Sequence, residues 1–420
     1  MERLAAEIEA HETSGRSLAV LFIDVDRFKR TNDGLGHAIG DELLRTLGQR
    51  LRQSVRSTDL VARLGGDEFA VAYLDIDGRA DVERLVDHLR REIARPVEID
   101  GMTLHATVSI GAAIGVLGNV NATDLLRGAD HAMYQAKRSG RNRYEIFDDV
   151  MRHTLHSRRE TESELRSAIA GDDVARSGAI TVHYLPEVDL ATGEVVAIEA
   201  LARWHHPTRG LLAAGEFLGL AEDTGLITEL GDRVMREACR QAARWVNEHP
   251  DLVLRVNVSA RQLALPQFVG DVAEALLRAG LDASRLSIEI GETAIVGDLE
   301  GTLDALQRIR NLGVSIAIDD FGTGHSALSY LEQLPVEIVK IDRRYVSGLG
   351  SHGRDAVIVA TLVRLGLALG LVVVAEGVET IEQRNELWEL GCRRAQGYLF
   401  SRPRPANEIT PFLGRSFALR

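Results

Sequence analysis

The run Leu18 to Asp24 is apolar until its last position, which predicts a buried strand ending in a carboxylate. From Asp41 the period lengthens, and Leu43, Leu44, Leu47, Leu51 and Val55 fall on one face of a helix. Leu60 to Leu64 and Phe69 to Leu74 are two more strand-like runs joined by Gly65-Gly66-Asp67-Glu68, a hairpin with a glycine turn. A strand over His105 to Gly115 and a helix from about Thr123 to Arg138 follow. Strands and helices mixed without strict alternation predict an α+β domain with a largely antiparallel sheet.

From Asp149 to about Asp173 the chain is polar, with Met151, Leu155, Leu165 and Ile169 at helical spacing, so a helical connector is expected there. Beyond it, short apolar strands alternate with amphipathic helices. The strands are Val195 to Leu201, Leu252 to Val258, Arg285 to Ile290, Val314 to Ile318, Glu337 to Ile341 and Leu371 to Ala375. Repeated strand-helix units of this kind predict a β/α, TIM-like barrel, whose usual length is about 250 residues. The expected organisation is therefore a domain over 1–148, a helical linker over 149–173 and a barrel over 174–420.

At 420 residues the chain exceeds what one core organises, and 45% hydrophobic with 26% charged residues is the balance of folded globular protein. No apolar run approaches the ~18 residues of a membrane helix, and the start, Met1 to Glu7, lacks the order of a signal peptide. A cytoplasmic chain with no membrane segment is expected. Cys239 and Cys392 lie far apart without neighbours at ligand spacing, which suggests buried thiols rather than a disulfide or zinc site. A net charge of −13 argues against a nucleic-acid polymer as partner but leaves small phosphate ligands open.

Polar residues recur where the barrel strands end: Glu199, Asn257, Glu289, Asp319 with Asp320, Lys340 and Glu376. Those ends share one rim, where barrel active sites are built. Each acid alone is an ordinary strand-end residue. Together they would repel one another strongly unless cations bind among them, and an all-oxygen donor set suits Mg²⁺ or Mn²⁺. Two such ions can clamp a phosphodiester. His205 and His206, before Pro207, read as a polar loop rather than a metal pair. Gly34, Gly36 and Gly40 miss the G-x-G-x-x-G dinucleotide spacing by one residue.

The motifs Glu199-Ala200-Leu201-Ala202-Arg203-Trp204, Asp319-Asp320-Phe321-Gly322-Thr323-Gly324, Lys340-Ile341-Asp342, Ala375-Glu376-Gly377-Val378-Glu379 and Gln396-Gly397-Tyr398 resemble those of EAL-type phosphodiesterase domains, in order, over about Val174 to Phe412. The resemblance implies that Glu199, Asn257, Glu289 and Asp319 hold one metal ion, and that Asp319 and Asp320 hold a second. It gives Lys340 the attacking water and the developing phosphate charge, Glu376 a place near that water as base or as an outer ligand of the metal, Gln396 and Arg203 contacts that position substrate, and Glu292 with Glu379 support of the loop from Phe321 to Gly324. The implied reaction is hydrolysis of cyclic di-GMP to linear pGpG. Leu185 stands where the family has Gln, Gly291 where it has Thr, and His325 where it has Tyr.

In the first segment, Phe22-Ile23-Asp24-Val25-Asp26-Arg27-Phe28-Lys29-Arg30-Thr31-Asn32-Asp33, the turn Gly65 to Phe69, and Tyr134-Gln135-Ala136-Lys137 with Gly140-Arg141-Asn142 resemble the signatures of GGDEF-type diguanylate cyclases, over about Leu4 to Phe147. By that resemblance Asp24, Asp67 and the Ile23 carbonyl bind Mg²⁺, Asn32 and Asp41 read guanine, and Gly65 and Gly66 let the nucleotide approach. Lys29, Lys137 and Arg141 meet the triphosphate of GTP, and Glu68 assists near the attacking hydroxyl. Each domain would hold one GTP, so synthesis implies a homodimer. Arg56 and Asp59 stand at the place of the family's product-inhibition pair. The chain begins inside the helix that follows the family's opening turn, and no upstream sensor is expected within it.

Three readings remain. The first is a bifunctional enzyme of cyclic di-GMP turnover, the second an active phosphodiesterase with a GTP-binding regulatory domain, the third a non-catalytic cyclic di-GMP receptor. The first leads, and intact ligand sets in both halves disfavour the third.

Overall fold

The structure is a computed structural model describing residues 17–116, 122–292, 294, 299–322, 331, 333–349 and 354–417. The chain start, Thr323, Gly324 and His325 lie outside the described residues, as do the side chains of Met151 and Leu155. Two compact units part between Arg159 and Glu160.

In the first unit, β1 (Ser17–Val25), β2 (Leu60–Gly65), β3 (Glu68–Ile76), β6 (Val108–Val116) and β7 (Tyr144–Phe147) form one sheet in the order β2-β3-β1-β6-β7, while β4 (Val97–Ile99) and β5 (Met102–Leu104) pair apart from it. Only β6–β7 is parallel, so the sheet is largely antiparallel as expected. β1 reads as a continuous apolar run because both its faces are covered. Leu18 and Val20 cluster with Leu125 and Ala129 of the helix Ala122–Arg138. Ala19, Leu21 and Ile23 cluster with Leu43, Leu44, Leu47 and Leu51 of the helix His37–Gln53. That helix starts earlier than Asp41 because Gly36, at φ 89°, ends the short helix Phe28–Leu35 and lets a new one begin at once. Gly111 is required by close packing: a Cβ there would lie 1.9 Å from the Ala129 carbonyl oxygen.

In the second unit eight strands close a barrel: β8 (Ala179–Asp189), β9 (Val195–His206), β11 (Val253–Val258), β12 (Leu286–Gly291), β13 (Ser315–Phe321), β14 (Ile338–Ile341), β15 (Val372–Ala375) and β16 (Arg394–Gln396). Short strands β10 (Gly210–Ala213) and β17 (Arg404–Pro405) pair at its margins. From β9 to β16 neighbours are parallel, but β8 runs antiparallel to both β9 and β16. The barrel is thus TIM-like with one strand reversed. A short turn at 190–194 folds β8 straight back into β9, so no crossover helix intervenes. The connector is a helix, Asp149–Ala170. Its end belongs to the barrel unit: Leu165, Ala168 and Ile169 are buried there, and Arg233 donates to the Ala168 and Ile169 carbonyls at 3.2 and 2.6 Å, capping the negative helix terminus. Among the described residues no helix is long and apolar enough to cross a membrane.

Candidate active site

Parallel strands deliver their C-terminal ends to one rim, and register does the rest. Asn257 on β11 pairs with Glu289 on β12, and Gly291 with Asp319 on β13. At the next step β13 breaks register between Ile318 and Phe321, and Asp320 adopts φ 55°, a left-handed conformation costly for a non-glycine residue. Without that irregularity consecutive residues would face opposite sides of the strand. With it, carboxylate oxygens of Asp319, Asp320 and Glu376 come within 4.8 Å of one another.

Lys340 is the centre of the cluster. Its ammonium, fully buried, donates to Glu376 Oε1 at 2.6 Å, Glu289 Oε2 at 2.9 Å and Glu199 Oε2 at 3.2 Å, and lies 3.7 Å from Asp319 Oδ1. Gln396 Nε2 donates to Glu199 Oε2 (2.7 Å) and Glu376 Oε1 (2.8 Å), and Asn257 Nδ2 to Glu199 Oε1 (2.7 Å).

One ammonium does not balance this much acid. Burial raises the Glu289 carboxyl well above its ordinary range, Lys340 opposing and Glu199 adding to it. Burial likewise lifts Glu376 to about 8, against the pull of Lys340, and Asp320 to about 6, with Asp319 contributing. For Glu199 burial is outweighed by Lys340 and by the hydrogen bonds of Gln396 and Asn257, so its carboxyl is held low. Lys340 is held far up by the surrounding carboxylates despite its burial. Two buried acceptors, Glu289 Oε1 and Gln396 Oε1, have no hydrogen-bond partner. Surplus negative charge, unspent oxygen acceptors and an all-oxygen donor set fit hard divalent cations.

Around the rim, Glu292 Oε2 accepts the Gly322 N–H at 2.9 Å, holding the start of the loop after β13. Thr323 and Gly324, the rest of the loop that Glu379 is expected to support, lie outside the described residues. Glu379 is exposed at the start of the helix Ile381–Glu389, where its backbone N–H donates to Gln383, and no described contact takes it to Phe321 or Gly322. Thr380 caps that helix, its hydroxyl accepting from the Gln383 N–H. Arg203 is half-buried, donates to the Ala202 carbonyl at 2.8 Å and has no carboxylate partner among the described residues. Leu185 sits opposite Glu199 across β8–β9, 8% exposed.

In the first unit, Asp24 at the end of β1 faces Glu68 across β1–β3, and Lys137 Nζ lies 2.6 Å from Asp24 Oδ2. Burial raises the Asp24 carboxyl, Lys137 opposing and Asp67 and Asp26 adding to it. The Asp67 carbonyl accepts the Val25 N–H at 3.3 Å, tying the glycine turn to the end of β1 beside Ile23. Gly66 has φ 52°, and Arg63 clamps its carbonyl at 2.7 and 2.9 Å. A Cβ at Gly40 would lie 1.9 Å from Asn32 Oδ1, an acceptor that is itself buried without a partner. Lys29, Asp41, Gly65, Gly66 and Arg141 are exposed. Of these, Asp41 lines a cleft of about 590 Å³ together with Leu44, Arg45, Gly48, Val61 and Phe69.

The Arg56–Asp59 pair is split. Arg56 is exposed, whereas Asp59 is 1% exposed and its carboxylate accepts the backbone N–H groups of Arg56 (2.8 Å) and Leu74 (3.3 Å). Asp59 therefore shapes the turn, a role invisible in the spacing.

The Diguanylate cyclase, GGDEF domain family model matches residues 1–143 and the EAL domain model residues 163–403. The chain is a GGDEF–EAL tandem protein. It is 40% identical to the bifunctional diguanylate cyclase/cyclic di-GMP phosphodiesterase MucR of Pseudomonas aeruginosa, over 97% of this chain and 59% of that protein. It is also 40% identical to the cyclic di-GMP phosphodiesterase NbdA of the same organism, over 98% of this chain and 52% of that protein. The chain thus spans between about half and two thirds of these relatives. Among solved structures it resembles PaMucR phosphodiesterase in a c-di-GMP complex, at 42% identity and TM-score 0.56, over 60% of this chain and 99% of that one.

EAL domains depend on divalent metal ions, and the donor set of this EAL domain fits that dependence. Two groups beside the signature residues escaped the motif reading. In the GGDEF domain Asp26 accepts from Thr107 Oγ1 (2.7 Å), Ser109 Oγ (2.6 Å) and the Asn142 N–H (3.0 Å), which fixes the turn carrying Arg141 at φ 62°. In the EAL domain a buried Arg255–Glu187 pair lies beneath the acidic cluster. Asp26 stands inside a signature run; for Arg255 the only sequence signal is a charge at an inward-facing strand position.

Proposed function

We propose that the EAL domain, within 174–420, hydrolyses cyclic di-GMP to linear pGpG with two Mg²⁺ or Mn²⁺ ions. The observation that carries this reading is the single Lys340 ammonium among Glu199, Glu289, Asp319 and Glu376, with Asp320 closing on Asp319 and Glu376. Glu199, Asn257, Glu289 and Asp319 would hold one ion, Asp319 and Asp320 the other. When bound, such ions supply Lewis acidity toward the phosphate and lower the pKa of water. Lys340 faces the charge that develops on phosphate as the bond breaks. Glu376, held by Gln396 Nε2 and facing the Lys340 ammonium, takes the proton of the attacking water. Gln396 holds Glu199 and Glu376 in mutual register, and Arg203 meets a phosphate oxygen of the substrate. Glu292 supports the Asp319–Asp320 strand end through Gly322.

We further propose that the GGDEF domain, within 1–148, joins two GTP molecules into cyclic di-GMP, linked to the barrel by the segment 149–173. Asp24, Asp67 and the Ile23 carbonyl would hold Mg²⁺, with Lys29, Lys137 and Arg141 on the triphosphate. Asn32 and Asp41 read guanine, Gly65 and Gly66 leave room for the nucleotide, and Glu68 assists at the 3′-hydroxyl. Two domains meet as a C2 homodimer, because one cleft holds one GTP. Arg56 contacts inhibitory product, with Asp59 shaping its turn. This reading puts the chain in the cytoplasm, where GTP is available.

A second reading, in which the GGDEF domain binds GTP and only regulates hydrolysis, is favoured by the similarity to NbdA, whose name states a phosphodiesterase alone. Incubating purified protein with GTP or with cyclic di-GMP, with and without Mg²⁺ or Mn²⁺, and separating products by chromatography decides between them. Product from both substrates supports two activities, and pGpG alone supports the second reading. Cyclic di-GMP left intact with metal present overturns the hydrolase assignment.

A further inference from the structure

The interior of the EAL barrel holds a second, deeper charged layer. Side chains two residues apart on a strand share a face, so Arg255 lies under Asn257 on β11 and Ser287 under Glu289 on β12, and the strands pair Arg255 with Ser287. Arg255 is 1% exposed. Its Nε and Nη2 donate to Glu187 Oε2 at 2.6 Å and Oε1 at 3.0 Å, a bidentate pair with a fully buried partner on β8, and its Nη1 donates to Ser287 Oγ at 3.2 Å. Arg394 approaches the same Glu187 at 3.5 Å.

A barrel interior is ordinarily filled with branched apolar side chains, and a buried ion pair is a costly substitute for them. This pair does more than fill space. Arg255 Nε lies 3.8 Å from Glu289 Oε1, the buried oxygen that no hydrogen bond satisfies, while the other oxygen of Glu289 meets Lys340. The guanidinium therefore stands behind the carboxylate, and the ammonium in front of it. Glu187 holds the guanidinium plane on two bonds, so Arg255 cannot swing up to compete for the mouth of the site.

We propose that Arg255, locked by Glu187, is a positioning residue that fixes the direction of Glu289 and thereby tunes divalent-ion affinity at the EAL site. The inference rests on the metal-dependent reading of that site. It adds a residue pair outside the strand-end motifs.

The test measures Mn²⁺ binding to the full chain by titration calorimetry alongside thermal unfolding of metal-free protein and hydrolysis kinetics. The variants are Arg255→Met with Glu187→Leu, which removes both charges together, and Arg255→Lys, which keeps charge but loses the fork. The double variant should keep the metal-free Tm, weaken Mn²⁺ binding by about 10- to 100-fold, as losses of groups supporting metal ligands do, and lower kcat with KM for cyclic di-GMP little changed. Arg255→Lys should fall between it and the wild type. Mn²⁺ binding equal to wild type in the folded double variant overturns the proposal. If the double variant does not fold, Arg255→Lys decides alone: a normal Tm with weaker Mn²⁺ binding supports it, and unchanged binding overturns it. Asp319→Asn, at a proposed ligand, is the control. A wild-type chain that binds no Mn²⁺ defeats the metal-site reading and this inference together, whereas wild-type binding weakened by Asp319→Asn but not by Arg255 variants defeats the inference alone.

Discussion

In the EAL barrel Lys340 and Glu289 are completely buried and Glu199 is 5% exposed, whereas in the GGDEF domain Lys29, Asp41, Gly65, Gly66 and Arg141 stand in solvent. Both regions bring acids and cations together, but one does so at the mouth of a closed barrel and the other at the strand ends and turns of an open sheet. A closed barrel can hold charges in fixed geometry at low dielectric, where each interaction is strong. An open sheet leaves such groups in solvent, where fields are weaker, and on the proposed reading it takes its order from nucleotide and from a second molecule. The barrel site should therefore be sensitive to single charges, and the open site to nucleotide and to association.

The largest effects test whether the two regions act separately. Glu199→Ala should abolish hydrolysis while sparing synthesis from GTP, and Asp67→Ala should do the reverse, each measured by chromatography of products. Loss of both activities in either variant would break the comparison. Next, Lys340→Met should lower kcat for hydrolysis on the order of 10²- to 10³-fold. It should also destabilise the metal-free chain by ~3–5 kcal/mol, because it leaves buried carboxylates without their cation. Saturating Mn²⁺ should restore part of that stability in a denaturant titration.

A smaller effect is the pH dependence of metal-free stability. Glu376, ordinarily 4.5, is lifted to about 8, and Asp320, ordinarily 3.8, to about 6. Groups whose folded pKa is raised contribute stability that is complete below the unfolded value and is lost as pH rises through the folded one. The metal-free barrel should thus lose stability between about pH 4 and pH 8, and thermal shifts on adding Mn²⁺ should be larger at the alkaline end of this window. An equal shift across it would show that protons and cations do not share these carboxylates. Smallest of all, Asp59→Ala should cost about 1–3 kcal/mol by leaving two backbone donors unpaired. Arg56→Ala, at an exposed site, should leave Tm alone and raise the product concentration that inhibits the cyclase.

The acids at the barrel rim could be found in the sequence because strand periodicity is local: an apolar run that ends in Glu289 or Asp319 announces both the strand and its end. The antiparallel sheet of the first domain and the helix at 149–170 were legible for the same reason. The reversed strand β8 was not, since strand direction depends on which partners close the barrel. Nor was the inward turn of Asp59, which a match to a four-residue spacing cannot distinguish from an outward one.

What the sequence determined alone was an inventory: two domains, most of their elements though not β8 and β16, and an excess of oxygen donors at strand ends that only cations would make tolerable. What the tertiary structure decided was who meets whom. Lys340 reaches Glu199 across 141 residues of chain and Arg255 reaches Glu187 across 68, contacts fixed by barrel closure and strand register. Such pairings arise from packing between elements, and periodicity within an element carries no information about its distant neighbour.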